Sequence, residues 1–397
     1  MAFPSKKSCM SSLLSNPPNA FANERKPDPF FSVYHMARHL AKQGPGICHK
    51  AVSRRIERVR RCVIYYASKT FSSLWERPFF HEGTLCCRMD ILYALEGLRT
   101  PFLNAVFSVL TYLGDQTVCI AAVLLLLWCF DKQKGYCLFL IATTGTAVNQ
   151  LLKALFLIPR PWVKDPAFTI VESARAAATG YSFPSGHTQN VTAEFSAIAL
   201  WAKRRWATWL CAIIILLTGF SRMYLGVHTP LDVGVSLVVG LLTSLVCIRL
   251  FDRLRPGTIR GIILAAMALM VGYLLLAPKG PANVAEFDLH GLESAYSLAG
   301  AALGLCIAWR VDERYIRYDI HAPLLGQICK VVLGLAVILG LKAGLKAPIQ
   351  QLVQGDPIGD GIRYCLIALF GGLVWPLTFP FWKKIGHSSK KTPKEDA

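Results

Sequence analysis

The sequence predicts an all-α, polytopic membrane helix bundle. Three observations carry the prediction: an apolar composition, a series of apolar runs, and basic residues gathered in alternate connections between them. Of 397 residues, 53% are hydrophobic and only 17% are charged, with a mean hydropathy of +0.41. Soluble domains carry charge at roughly 25% of positions. A helix needs about 20 apolar residues to cross a bilayer, and the excess lies in runs near that length. Strand-period alternation with regular turns, the mark of a membrane barrel, is missing.

Residues 1–88 read as a basic cytoplasmic extension, expected to be poorly ordered, with fifteen Lys/Arg against five Asp/Glu. The opening lacks the apolar stretch of a secretory signal. Residues 56–66 suit a basic amphipathic helix on a membrane surface. Met89 reads equally well as a start, which would make the preceding residues an addition of little consequence. Ten apolar segments follow, at about 91–113, 116–130, 135–157, 187–202, 206–224, 231–251, 260–277, 293–309, 325–345 and 361–382. The first contains Glu96, Arg99 and Pro101, so part of it is expected in the interface. Residues 383–397 form a basic tail.

Orientation follows from Lys and Arg in the short connections. Lys132 and Lys134, Lys203 to Arg205, Arg249 to Arg260, Arg310 to Arg317 and the tail lysines all fall on one side if the segments alternate. That places both termini in the cytoplasm and turns 158–186 and the turn at His228 outward. The net charge of +19 is thereby accounted for by topology and the inner leaflet, and no nucleic-acid partner is expected. The thirteen cysteines show neither CxxC nor Cys/His ligand spacing, so no zinc site or disulfide framework is expected. They read as small apolar packing groups.

Three polar clusters interrupt this pattern. KALFLIPRP ends the third segment with Lys153, Arg160 and Pro161. Proline there terminates a helix, and the two cations alone would pass for side chains snorkelling to headgroups. YSFPSGHTQN opens the fourth segment with Pro184, Ser185, Gly186 and His187. A helix start offers unpaired N–H groups to an anion, and Gly186 lets the backbone approach closely. Taken alone it is equally a capped helix with an incidental histidine. SRMYLGVHTPLD joins the fifth and sixth segments with Ser221, Arg222, His228 and Asp232. Pro230 suits a first helical turn, so Asp232 can turn back to His228, fix its tautomer and leave the other ring nitrogen to attack. The plainer account is a structural His–Asp pair. Together the three clusters meet on one membrane face, and three cations, two histidines and helix-start amides suit phosphoryl transfer.

K-x6-RP, PSGH and SR-x5-H-x3-D, in this order, resemble the three signature motifs of the type 2 phosphatidic acid phosphatase and vanadium haloperoxidase superfamily. The resemblance covers roughly residues 91–251 and implies a six-helix phosphatase core over 89–255. Residues 256–382 are then about four additional transmembrane helices with no assigned role. The resemblance implies that His228 is the nucleophile, oriented by Asp232, and that His187 is the acid and then the base. Lys153, Arg160, Arg222, Ser185 and Gly186 would hold the phosphate, with Pro161, Pro184 and Ser221 as supporting motif positions. Three cations balance the phosphate charge, so no metal or other cofactor is expected. The implied substrate is a lipid phosphate: phosphatidate, a prenyl diphosphate or a sphingoid-base phosphate. The PSGH form is closer to bacterial enzymes, which points to a bacterial plasma membrane. Sphingosine-phosphate phosphatases usually carry Thr where Gly186 stands. Two alternatives remain open: a lipid-binding or transport protein that retains the motifs, and a vanadate-dependent haloperoxidase. GxxxG spacings at Gly300/Gly304 and Gly340/Gly344 suggest close helix packing, while Lys330, Lys342 and Glu194 read as ordinary structural groups.

Overall fold

The structure is a computed structural model that describes residues 82–277 and 285–385. The basic extension, the segment 56–66 and most of the tail lie outside the described residues. The described part is helical: α1 (Glu82–Gly97), α2 (Pro101–Thr111), α3 (Gln116–Leu125), α4 (Lys132–Phe156), the single turn α5 (Pro161–Lys164), α6 (Gly186–Ala202), α7 (Arg205–Tyr224) and α8 (Pro230–Arg253). After these come α9 (Pro256–Leu276), α10 (Ala285–Val311), α11 (Leu324–Gly344), α12 (Lys346–Leu352), α13 (Ile358–Leu369) and α14 (Phe379–Trp382). Seven helices are long and apolar enough to cross a membrane, and eight if a bent pair counts as one span. It is a multi-pass membrane protein.

Local chemistry sets the ends of the helices that matter most. Asp131 caps α4 by accepting from the amides of Gln133 and Lys134. The helix stops where Leu157 turns left-handed at φ 48°, three residues before Arg160. Pro230 opens α8, and Thr229 and Asp232 form a reciprocal capping box there, which satisfies two otherwise orphan amides. Helix α6 is central, with α4, α7 and α8 packed around it. Small residues permit this: a Cβ on Gly240 of α8 would stand 2.8 Å from the Gln189 carbonyl oxygen of α6.

The first expected segment does not form a crossing of its own. Glu96, Arg99 and Pro101 break it, and α2 restarts on Thr100 as its N-cap. Arg99 donates to the carbonyls of Thr169 and Tyr224, and the Tyr93 hydroxyl donates to Asp165. Helices α1 and α2 therefore lie at the end of the bundle that carries the 158–186 connection. A 51° bend separates Pro101–Gly114 from Gln116–Phe130, and the second part leads to Lys132 at the opposite end. There Lys132 pairs with Asp312 at 2.5 Å, and Lys383 pairs with Asp319. Arg99 and Lys383 thus lie at opposite ends of the bundle.

One hydrophobic core runs through α4, α9, α10 and α13, so the helices after Pro256 share packing with those before it. Gly300 and Gly304 of α10 lie directly on the carbonyls of Gly361 and Cys365 in α13. Gly340 and Gly344 would meet nothing within 4 Å, so only the first GxxxG is a seam among the described residues. Lys330 is buried and donates to the carbonyls of Trp128 and Ile320 at 2.7 and 2.9 Å, a structural tie. Cys119, Cys129, Cys137, Cys211, Cys247, Cys306, Cys329 and Cys365 are free thiols, five of them buried.

Candidate active site

Four connections meet at one end of the bundle: the exit of α4, the start of α6, the exit of α7 and the start of α8. His228 sits in the turn between α7 and α8, held by its own amide and that of Val227 donating to the Arg222 carbonyl. Its Nε2 faces Arg160, whose Nη1 lies 2.8 Å away. A guanidinium only donates, so Nε2 is the acceptor and the ring proton is on Nδ1. That nitrogen faces Asp232 Oδ2 at 3.5 Å, a loose contact. The carboxylate is fixed independently, since Oδ2 accepts from the Ser182 hydroxyl at 2.6 Å and the Thr229 amide at 2.8 Å.

Arg160 is buried, and its remaining N–H groups donate to the carbonyls of Gly180, Val227 and Thr179 at 2.9, 3.0 and 2.7 Å. Arg222 is fully buried and donates to the Thr111 hydroxyl at 2.7 Å, while its Nε and Nη2 have no hydrogen-bond partner. Burying a charge with unused donors is costly unless something pairs with it, so Arg222 is poised for an anion. Half-buried Lys153 lines a cleft with Gly180, Tyr181 and the α10 residues Asp288 and His290. His187, in the first turn of α6, lies within electrostatic reach of Arg222, His228, Arg160 and Lys153. Burial and the positive charges of Arg160, Arg222 and Lys153 hold the His228 imidazole well below the ordinary histidine range.

The structure brings together Lys153, Arg160, His187, Arg222, His228 and Asp232. The other motif positions are occupied locally. The Ser185 hydroxyl lies 3.0 Å from the Thr188 hydroxyl and caps α6, although the distance to the Thr188 amide is a long 3.5 Å. Ser221 donates back to Thr218, Pro161 opens α5, and the Pro184 carbonyl accepts from Asn149. A Cβ on Gly186 would meet only Asn149 Oδ1, at 3.5 Å. Sequence reasoning missed Ser182, Thr111 and Gly114. A Cβ on Gly114 would stand 2.5 Å from the His187 carbonyl oxygen, so the bend between α2 and α3 rests on the backbone of the proposed acid. Ser182 lay inside the quoted stretch, two residues before Pro184, but a serine beside a turn carries no distinguishing signal.

Comparison with known proteins decides the family. Residues 134–256 match the PAP2 superfamily, and residues 296–385 match the PAP2 superfamily phosphatase transmembrane extension. Over 173 residues the chain is 33% identical to undecaprenyl-diphosphatase BcrC of Bacillus subtilis, covering 42% of this chain and 86% of that protein. The chain belongs to the PAP2 superfamily. This PAP2 protein is also 30% identical over 158 residues to phosphatidylglycerophosphatase B of the same organism, covering 36% of the chain and 73% of that protein. A solved transmembrane PAP2-type phosphatidylglycerolphosphate phosphatase from Bacillus subtilis aligns at a TM-score of 0.36 and 21% identity, over 49% of this chain and 98% of that one. The PAP2 assignment makes the chain a membrane phosphatase, and its later helices, left without a role by the sequence, match a known extension of such phosphatases.

Proposed function

We propose that the protein hydrolyses the phosphate ester or diphosphate of a membrane lipid through a phosphohistidine on His228. The observation that supports this most is the buried line from Arg160 through the His228 ring to Asp232, with the acceptor nitrogen turned towards the cations. In this reading Arg160 passes its hydrogen bond from Nε2 to the arriving phosphoryl oxygens, joined by Arg222, Lys153, the Ser185 hydroxyl and the Gly186 amide. Nε2 bonds to phosphorus as the P–O bond to the lipid breaks, and His187 gives its proton to the departing oxygen. His187 then takes a proton from water, the water oxygen bonds to phosphorus, and the P–N electron pair returns to Nε2. Asp232 holds the charged ring in place throughout. Such acid–base help is worth about 10²–10⁴-fold.

Relatives named for prenyl diphosphate and for phosphatidylglycerophosphate support a lipid carrier over a soluble ester. Bacterial relatives support a plasma membrane location with the site facing outward, away from the basic connections. Three cations supply the charge balance, so activity is expected to survive EDTA. The deciding experiment is phosphate release from a panel of lipid phosphates and diphosphates, with alkaline quenching to trap an acid-labile phosphoryl adduct. His228→Ala is expected to abolish both release and adduct. Near-wild-type turnover by that variant would remove the nucleophile assignment, and binding without release by the wild-type protein would favour a lipid-binding protein.

A further inference from the structure

A cavity of about 340 Å³ lies between α3, α4 and α6 on one side and α10, α11 and α13 of the extension on the other. That volume falls within the range of small-molecule sites, about 300–1,000 Å³. Its walls are mainly apolar, with Val123, Leu124 and Phe139 facing Leu298, Leu335 and Ile338. Its lining approaches the phosphate site along α6. Asn190 and Glu194, both in its lining, follow His187 by three and seven residues, so they share one face of α6. The cavity therefore begins one turn from His187 and reaches about 10 Å along the helix axis. Asp115, also in the lining, follows Gly114 on the backbone of His187. The polar groups Asp115, Gln116, Thr117 and Lys342 gather where α3 starts, and Lys342 donates to the Thr117 hydroxyl at 3.0 Å.

We propose that this cavity receives the hydrocarbon chain of the lipid whose phosphate docks at His228, so that the transmembrane extension sets chain preference. The inference rests on the lipid-phosphatase reading. An amphiphile matches the polarity of the space, which is charged at the phosphate end and apolar beyond it. The extension contributes about half of the wall, which gives these helices a task that the motif-bearing helices do not perform. Glu194 is buried, and its Oε1 has no hydrogen-bond partner, so a polar group also faces the chain partway down.

Ala301 of α10 lines the cavity and belongs to no part of the phosphate site. Ala301→Phe fills the space. The expected result is a loss of about tenfold or more in kcat/KM for hexadecyl phosphate, with hexyl phosphate turned over within about twofold of wild type. Equal losses for both substrates, or no change for either, would overturn the proposal. A second measurement needs neither a variant nor turnover. Hexadecyl phosphate carrying a photoreactive diazirine at the chain end is irradiated with the wild-type protein, and the adducts are mapped. Adducts at Leu298, Ala301, Leu335 or Ile338 support the cavity. Adducts confined to outward-facing positions such as Leu269, which is 74% exposed, sink it. Phosphate release without cavity adducts leaves the phosphatase reading standing and the chain site refuted. Cavity adducts without release do the reverse.

Discussion

At the scale of single residues, Asp232 is anchored by groups other than the histidine that it is proposed to orient. Asp232 Oδ2 takes two good hydrogen bonds, from Ser182 and Thr229, and only a loose contact from His228. In the proposed mechanism Ser182 is thus a positioning residue. A hydrogen bond to a charged group is worth about 1.5–3 kcal/mol, so Ser182→Ala is expected to lower kcat by about ten- to hundredfold while KM changes little. Ser182→Thr, which keeps the hydroxyl, is expected to recover most of that loss, and a merely structural defect would not be rescued in this way. The His228 ring gives a second prediction. Its pKa is depressed in the folded protein, so the neutral nucleophile persists below the unperturbed value of about 6.5. The acid limb of kcat/KM, which reports the free enzyme, is expected below pH 6.5, and a limb above it would contradict the assigned environment. The same shift acts on stability. The unfolded chain binds this proton first, so the contribution falls as pH drops from about 6.5 towards the folded value. Lys153, Arg160, His187, Arg222, His228 and Asp232 were legible because polar clusters stand out at the ends of apolar segments and resemble the motifs of a known family. Ser182 and Thr111 were not, because their partners lie 50 and 111 residues away.

At the scale of elements, apolar runs announced most helices, but the polar groups within them decided where helices stop. The start of α6 and the capping box of α8 follow directly from Ser185 and from Thr229 with Asp232. The first apolar run misled only in its length: Arg99, which already stood out there with Glu96 and Pro101, spends its guanidinium on the carbonyls of Thr169 and Tyr224. Glycine spacing misled in another way: two identical GxxxG patterns have different surroundings. Gly300 lies against the Gly361 carbonyl, and Gly340 faces open space. Gly300→Ala is therefore expected to destabilise by about 1–3 kcal/mol through overpacking. Gly340→Ala is expected to be neutral or to stabilise by up to about 1 kcal/mol, because alanine is the better helix former. Thermal unfolding of the two variants in detergent, side by side, tests the seam. Equal shifts would mean that the α10–α13 contact is not what the spacing serves.

At the scale of the whole molecule, the proposed phosphate site occupies one end of the bundle and the Lys132–Asp312 and Lys383–Asp319 pairs the other. Counting every apolar run as a crossing puts the two ends of the chain on one side. The bend at Asp115 removes one crossing, because Thr111 and Gly114 already stand at the site. The two accounts differ in something measurable. Leu98, which is 62% exposed, follows α1 at the site's end, and Phe381, 61% exposed, lies in α14 at the other. With the native cysteines replaced, Leu98→Cys and Phe381→Cys would each be reconstituted into sealed vesicles and treated with a membrane-impermeant thiol reagent. The expected outcome is that only one of the two is labelled from outside, and that the vesicle orientation labelling Leu98→Cys also hydrolyses externally added substrate. Labelling of both from the same face would restore the ten-crossing arrangement and separate α1 from the active site.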